Sequence, residues 1–144
     1  MTRRRALTLL VVVAHWIVAI WHLFIAAKVL PPPNNKVSWL AITFITLGHL
    51  AVSIAVWKLR DKLAGLVSLI FFLAALGADL YEHFLNASAN NVFMLAHGDW
   101  TAPFDVSVII LLVLEILGCL LGIFLLGGRA TSNPQPQFAR RGVA

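Results

Sequence analysis

The sequence predicts an all-α protein, an integral membrane bundle of four helices with both termini in the cytoplasm. Its composition, its long apolar segments and the placement of its basic residues together predict this fold. Of the 144 residues, 60% are hydrophobic and 12% are charged, and the mean hydropathy is +0.90. A soluble domain carries roughly 25% charged residues. Because so few charges cannot cover a water-exposed surface, most of the surface must face lipid, which excludes a soluble globular protein.

Four apolar segments are long enough to cross about 30 Å of hydrocarbon at about 1.5 Å per residue. Each is predicted to be a helix, because a backbone exposed to lipid must satisfy its own hydrogen bonds. The predicted helices are 6–30, 37–57, 63–85 and 104–126. They are expected to form one domain, residues 1–129.

The connections between the first three helices are short. Three prolines at 31–33 end the first helix, and the charged segment 58–62 forms the second turn. Short connections make the first three helices antiparallel neighbours. The polar, proline-containing residues 130–144 are expected to be a disordered cytoplasmic tail.

Most basic residues fall on one side of the predicted bundle, and only Lys28 and Lys36 fall on the other. The residues on the first side are Arg3, Arg4, Arg5, Lys58, Arg60, Lys62, Arg129, Arg140 and Arg141. By the positive-inside rule this side is the cytoplasm, which predicts a multi-pass protein of the cell (inner) membrane. The same rule accounts for the net charge of +5, so nucleic acid is not an expected partner.

The third connection, residues 86–103, is the longest and contains no Lys or Arg. It carries His97 and Asp99, and its apolar run at 92–96 is expected to lie along the outer interface. The single cysteine, Cys119, excludes an intrachain disulfide.

Small residues on the fourth helix predict a close helix contact. Gly118 and Gly122 have the spacing that lets two helix backbones approach each other. Cys119 lies beside them and is expected to be a packing residue.

Ionisable residues within the predicted spans are the strongest functional signal. They are His15, His22, His49, Asp79, Glu82, His83 and Glu115. An acid at the centre of a spanning helix costs roughly 2.5 to 3.5 kcal/mol on insertion scales. Such residues usually face the bundle interior, pair with one another and mark a site. We therefore expect a polar interior lined by all seven.

By depth along the helices, one group is expected in the outer third of the bundle. Asp79 and His83 lie one helical turn apart, the spacing at which a helix offers two ligands to one ion. With His22 and His97 they form a candidate site for Cu, Fe or Zn. Over these few residues the pattern resembles the Asp/His/His copper site in the C subunit of membrane methane and ammonia monooxygenases. The alternative is that Asp79, Glu82 and His83 only pair with one another at a helix end.

A second group is expected near the midplane of the bundle. Counting rises of about 1.5 Å per residue places His15, His49 and Glu115 at similar depth. His15 and His49 are candidates for the two axial ligands of a haem b. Glu115 is a candidate partner of a histidine, metal ligand or proton acceptor. The alternative is that each histidine is a hydrogen-bonded packing residue.

The residues around the two midplane histidines resemble those of a second protein family. Arg5 precedes His15 by ten residues, and His49 follows Gly48 and precedes Arg60. This arrangement is similar to helices of prokaryotic cytochrome b561. The resemblance implies a haem b cofactor.

Together these patterns predict a polytopic membrane protein with an intramembrane His/Asp/Glu site. The site is expected to bind a transition metal or haem for redox chemistry, metal handling or proton-coupled chemistry, with Glu115, Asp79 and Glu82 as candidate catalytic acids. Other membrane subunits, or further copies of this chain, are the expected partners besides the bilayer. A cofactor-free, isomerase-like enzyme acting on lipids and a purely structural small subunit remain alternatives.

Overall fold

The computed structural model describes residues 1–30, 36–95 and 97–127 of the chain. The described residues form an all-helical bundle without strands. Its helices are α1 (Arg3–Val29), α2 (Trp39–Lys58), α3 (Asp61–Leu80) and α4 (Thr101–Leu126), and α3 continues directly as a π-helical segment, Tyr81–Leu85. Four helices were predicted, and with the π-helical segment counted as part of the third helix their ends differ by at most three residues from the predicted ones. The proline turn, Ala96 and the expected tail at 130–144 lie outside the described residues.

Side-chain caps account for two of the shifted helix starts. The Thr2 hydroxyl accepts a hydrogen bond from the Arg5 backbone N–H, which begins α1 three residues before the predicted start. The Ser38 hydroxyl accepts from the Ala41 N–H at 3.2 Å and begins α2 at Trp39. Both caps satisfy N–H groups that have no partner within the helix.

All four helices are long and apolar enough to cross a membrane, by length and composition. α4 makes its most extensive contacts with α3 and α1, whereas α2 packs less extensively on α1 and α3. Large apolar side chains cover the outside of the bundle, and Leu10, Phe44 and Ile109 are each more than half exposed. Such a surface requires an apolar environment or partner.

The start of α1 is bonded to the turn between α2 and α3. The Arg5 guanidinium donates to the Asp61 carboxylate at 2.6 Å and to the Leu59 carbonyl at 2.6 Å. Arg4 donates to the Phe124 carbonyl at 3.3 Å, near the end of α4. The first and last described helix ends therefore meet at one end of the bundle, called the arginine end here. The opposite end, with the connections after α1 and α3, is called the loop end.

Two apolar clusters fill the two halves of the interior. The cluster toward the arginine end consists of Val12, Val52, Val56, Phe72 and Cys119. The cluster toward the loop end consists of Ile25, Ala26, Leu30, Phe104 and Val108. In the first cluster Cys119 is buried and free, in agreement with the packing role predicted for it.

The apolar run of the long connection divides between the bundle and its surface. Val92 and Leu95 pack against the cluster near the loop end. Phe93 and Met94 point outward, with 80% and 61% of their surface exposed. The two exposed side chains lie at the loop end, where the sequence predicts an interface.

Small residues bring α3 and α4 into close contact, as the Gly118 and Gly122 spacing predicts. Gly118 lies against the ring of Phe72, which leaves no space for a side chain. A Cβ on Gly122 would lie 3.0 Å from the backbone nitrogen of Leu69. A Cβ on Gly65 would lie 2.7 Å from the carbonyl oxygen of Gly122, a backbone atom that cannot move aside cheaply.

Gly65→Ala is expected to destabilise the bundle because the added methyl group forces α3 and α4 apart. Overpacking of this kind costs about 1 to 3 kcal/mol. Gly77→Ala, also on α3, is the matched control, because a Cβ there meets no atom within 4 Å. Thermal unfolding in detergent, followed by circular dichroism, should show a lower midpoint for Gly65→Ala and an unchanged or higher one for Gly77→Ala. Equal midpoints for the two variants would contradict the close contact.

Candidate functional site

One cavity brings together the ionisable residues that the sequence places within the spans. It has a volume of about 410 Å³, within the range of roughly 300 to 1,000 Å³ typical of small-molecule sites. Its polar lining includes all seven of these residues, His15, His22, His49, Asp79, Glu82, His83 and Glu115, together with Lys36, Ser38 and Asn90. The exposed side chains of Lys36 and Phe44 lie at its rim, toward the loop end. The sequence predicts two groups at different depths, whereas in the structure both groups line the same cavity.

A chain of hydrogen bonds occupies the deep end of the cavity. The Nδ1–H group of His49 donates to the carbonyl oxygen of Ile45 at 2.6 Å. The Nε2 atom of His49 is 2.7 Å from Nδ1 of His15. The Nε2 atom of His15 is 3.1 Å from Oε1 of Glu115. The chain therefore joins α2, α1 and α4 through three side chains.

The side chains of this chain are enclosed by aromatic rings. His15 and His49 are each 5% exposed, and Glu115 is fully buried. The two imidazoles stack with their centroids 5.0 Å apart, and Phe71 and Phe72 meet the His15 ring edge-on. Aromatic rings therefore cover one side of the His15 imidazole.

The second oxygen of Glu115, Oε2, is buried and has no hydrogen-bond partner among the described residues. Glu115 lines the cavity together with Asp79, whose carboxyl group is both a hydrogen-bonding partner and a like charge for it. Asp79 also interacts with His83, one turn further along the chain, and with His15. Asp79 therefore connects the deep chain with the residues nearer the loop end.

His22 is held by a serine on α4. Its Nδ1 atom is 2.8 Å from the Ser107 hydroxyl oxygen, and that hydroxyl donates its own proton to the Phe104 carbonyl at 2.7 Å. Because the Ser107 proton is already used, the hydroxyl must accept from His22, so His22 carries its proton on Nδ1. Its Nε2 atom then has a free lone pair on the cavity side.

The π-helical segment positions His83 and Glu82. A π-helical turn is wider than an α-helical turn and is frequent at functional sites. Here it turns His83 inward, where Nδ1–H donates to the Asn90 carbonyl at 2.9 Å. The His83 ring meets the His22 ring edge-on, with centroids 5.0 Å apart. Glu82 lines the cavity and accepts a long hydrogen bond from the Asn86 side chain.

His97 lies apart from the other candidate residues. It is exposed in the connection between α3 and α4 and does not line the cavity. The structure therefore brings together three of the four candidate metal ligands, His22, Asp79 and His83, without His97.

Sequence reasoning did not identify the groups that orient the histidines. Ser107 and the carbonyls of Ile45 and Asn90 were not among the candidate residues. Ser107 lies eight residues before Glu115 and is a polar residue in an apolar helix, which was an available signal. Carbonyl partners leave no such signal, because every residue has one.

The arrangement of His15 and His49 does not fit a haem held between them. Two nitrogens on opposite sides of an iron would lie roughly 4 Å apart, given metal–nitrogen bonds of about 2.0 Å. In the structure the facing nitrogens are 2.7 Å apart and bonded directly to each other. Within the described residues, no three His, Cys, Asp or Glu side chains are grouped so that they could hold a metal ion.

Comparisons with protein-family models, with curated proteins and with solved structures found no match. Fold and site therefore define the class to which the chain is assigned. It is a bundle with four helices apolar enough to cross a membrane, and its interior holds a polar cavity rich in histidine and carboxylate.

The hydrogen bonds around His22 and His83 predict that both imidazoles carry a proton on Nδ1. In Ser107→Ala, His22 loses its acceptor and its proton should distribute over both ring nitrogens. His83 serves as the internal control, because its acceptor, the Asn90 carbonyl, is unchanged. Nitrogen NMR of imidazole-labelled protein measures both tautomers. A change at His83 equal to that at His22, or no change at either, would contradict the assignment.

Proposed function

We propose that the protein is a polytopic membrane protein that carries out proton-coupled chemistry at an intramembrane site formed by His15, His49, Glu115 and Asp79. The observation that carries the proposal is the buried hydrogen-bond chain from the Ile45 carbonyl to Glu115.

The surface and the charges of the bundle support a position in the membrane. The four apolar helices have a largely apolar outer surface, and such a surface is stable in lipid. Arg3, Arg4 and Arg5 lie at the same end as the turn that carries Lys58, Arg60 and Lys62. The positive-inside rule places this end, and with it both termini, in the cytoplasm of the cell (inner) membrane.

Each hydrogen bond in the chain requires one proton, and the first bond has a fixed direction. The Ile45 carbonyl can only accept, so the first link holds a proton donated by His49. The second link, between the two imidazoles, and the third link, between His15 and Glu115, also need one proton each. The complete chain therefore holds three protons in three links.

Three protons make the chain electrically neutral. Two neutral imidazoles hold one proton each, and the third proton cancels the charge of the Glu115 carboxylate. This proton can sit on Glu115, on His15 or, after a shift along the chain, on His49, and every link stays bonded in each case. A neutral cluster avoids the high cost of an unpaired charge in an apolar interior. A proton can therefore move within the chain without breaking any of its links.

The remaining acids extend the site toward the rim. Asp79 interacts electrostatically with Glu115. Glu82 and Lys36 line the same cavity. We assign Glu115 the role of proton donor or acceptor to a ligand, and Asp79 and Glu82 the exchange of protons with the loop side.

The position of the cavity supports chemistry on a bound molecule. Its lining extends to Lys36 and Ser38 near the loop end, while the apolar cluster around Phe72 fills the interior toward the arginine end. Phe72 is fully buried between Gly118 and His15. A continuous polar path across the bundle would require this cluster to open.

Glu115→Gln tests the shared proton. The glutamine amide can donate to Nε2 of His15 and keep the chain intact, but it cannot release that proton. We expect His15 to become a neutral imidazole protonated only on Nδ1, with a nitrogen NMR spectrum that no longer reports exchange with residue 115. Asp105→Asn removes an acid from the same helix outside the cavity and is the matched control.

The proposal fails if the His15 resonances of Glu115→Gln equal those of the wild type. It also fails if Asp105→Asn changes them as much. Unfolding midpoints measured in parallel separate a local change of protonation from a loss of fold.

A transition-metal site is the second candidate function, and the orientation of two histidines favours it. His22 and His83 each donate Nδ1–H to a protein oxygen, and this leaves both Nε2 lone pairs for the cavity. Metal-binding histidines are typically held in this way. Asp79 and Glu82 line the same cavity, and their carboxylates could reach a Cu, Fe or Zn ion only after side-chain movement, since the described residues contain no ready-formed group of three ligands.

Metal content measures this candidate directly. After dialysis against Zn²⁺ or Cu²⁺, elemental analysis should find about one ion per chain in the wild type, and much less in His22→Ala and in His83→Ala. His97→Ala is the control, because His97 lies outside the cavity. A metal-free wild type would exclude this candidate, and a loss in His97→Ala would show that the connection supplies a ligand.

A further inference from the structure

A second pocket, separate from the cavity, lies at the outer surface of the bundle near the loop end. It has a volume of about 270 Å³ and is lined by Phe84, Val92, Phe93, Asp105, Val108 and Ile109. None of these residues lines the cavity. Among the described residues that line the pocket, Asp105 alone has a polar side chain. The pocket therefore combines apolar walls with a single carboxyl group.

The carboxyl group of Asp105 has no partner within the described part of the chain. Neither of its oxygens makes a hydrogen bond or an ion pair there. Its Oδ1 atom is buried, whereas the residue as a whole is partly exposed, so a ligand reaches the carboxyl group at Oδ2. A carboxylate beside apolar walls has lost part of its hydration, and a cationic donor compensates this loss. The charge of the pocket therefore favours a cation.

Two aromatic rings strengthen the preference for a cation. Phe84 and Phe93 meet edge to face, with their ring centroids 5.9 Å apart. Phe84 belongs to the π-helical segment, while Phe93 lies in the connection after it and is 80% exposed. Aromatic rings attract ammonium groups that lie within about 6 Å of the ring centroid. A carboxylate and two such rings in one pocket suit an ammonium group.

The position of the pocket favours a lipid as the source of the ammonium group. Asp105 lies four residues after the start of α4, about 6 Å along the helix axis. In a bilayer crossed by the four helices, the headgroups begin near this level. From the pocket, the exposed side chains of Ile109, Val113 and Ile116 continue along one face of α4. A headgroup in the pocket would therefore place its acyl chain on this apolar face.

We propose that the pocket binds the ammonium headgroup of phosphatidylethanolamine, with Asp105 as its acceptor. The ammonium N–H groups donate to Oδ2 of Asp105, the rings of Phe84 and Phe93 lie beside the cation, and an acyl chain follows the face of Ile109. This inference goes beyond the proposed function. It rests on the membrane position proposed there and is independent of the proton chemistry.

Lipid binding to the detergent-solubilised full chain, measured by native mass spectrometry, tests the proposal. N-acetylphosphatidylethanolamine keeps the acyl chains and the phosphate but has no ammonium group, and free ethanolamine has the ammonium group without acyl chains. We expect phosphatidylethanolamine to bind at least about tenfold more tightly than either, because only this lipid makes both the charge-assisted hydrogen bond and the apolar contact. Equal affinities for the two lipids would overturn the proposed role of the ammonium group. Ethanolamine binding as tight as that of the lipid would overturn the choice of a lipid.

Substitutions in the pocket locate the headgroup. Asp105→Asn should weaken the binding of phosphatidylethanolamine about tenfold and leave that of the N-acetyl lipid unchanged. Asp99→Asn is the matched control, because Asp99 is an exposed acid just before α4 and lies outside the pocket. Phe93→Leu should weaken binding by a smaller factor, about threefold, through the loss of the ring. An unchanged affinity in Asp105→Asn, or an equal loss in Asp99→Asn, would overturn the proposal.

Two further measurements separate this inference from the proposed function. The His15 resonances of Asp105→Asn should equal those of the wild type, since the pocket and the cavity share no residue, and this shows that the variant is folded. Flotation of the full chain with liposomes measures the membrane position. A chain that enters liposomes without preferring the ammonium lipid would refute this inference and leave the proposed function standing. A chain that does not enter liposomes would refute the membrane position on which both depend.

Discussion

The structure depends on one constraint, that a polar group in an apolar interior needs a partner. The chain from the Ile45 carbonyl through His49 and His15 to Glu115 meets this constraint deep in the bundle. The main-chain carbonyl at one end fixes a proton on Nδ1 of His49, while the other two links hold one proton each. Three buried side-chain oxygens of the described residues have no hydrogen-bond partner, namely Ser68 Oγ, Asp105 Oδ1 and Glu115 Oε2. Structure and proposed chemistry thus depend on the same bonds.

The same chain holds together helices that pack unequally. α3 and α4 meet through glycines, and their backbones are in close contact. α2 has fewer contacts with its neighbours, and His49 gives it a polar bond to α1. The cavity lies where packing is less dense, lined by residues of α1, α2 and α3 such as Ala19, Ile45 and Ala75. Close packing on one side therefore allows an open, polar space on the other.

Much of the fold was predictable, because length, hydropathy and charge placement are properties of each segment alone. The four helices follow from them, and the Gly118 and Gly122 spacing correctly predicted a close contact. The high cost of burying an ionisable group correctly placed His15, His22 and Glu115 inside. The two groups predicted at different depths line one cavity instead of forming two sites. Counting residues along straight helices measures depth and ignores the width of the space between helices. His97, predicted to complete the site with His22, Asp79 and His83, is exposed in the connection, whose path depends on what it packs against.

Local chemistry was thus enough to specify which segments are helical, which end carries the positive charge and which residues are too polar to face lipid. Hydrogen-bond partners were decided only by the folded chain, because the Ser107 hydroxyl and the carbonyls of Ile45 and Asn90 reach the imidazoles across space. The π-helical turn at 81–85 is likewise decided by tertiary structure, because it replaces α-helical hydrogen bonds with wider ones and His83 is buried there. Only the folded chain brings these ionisable residues, which are far apart in the sequence, together in one site.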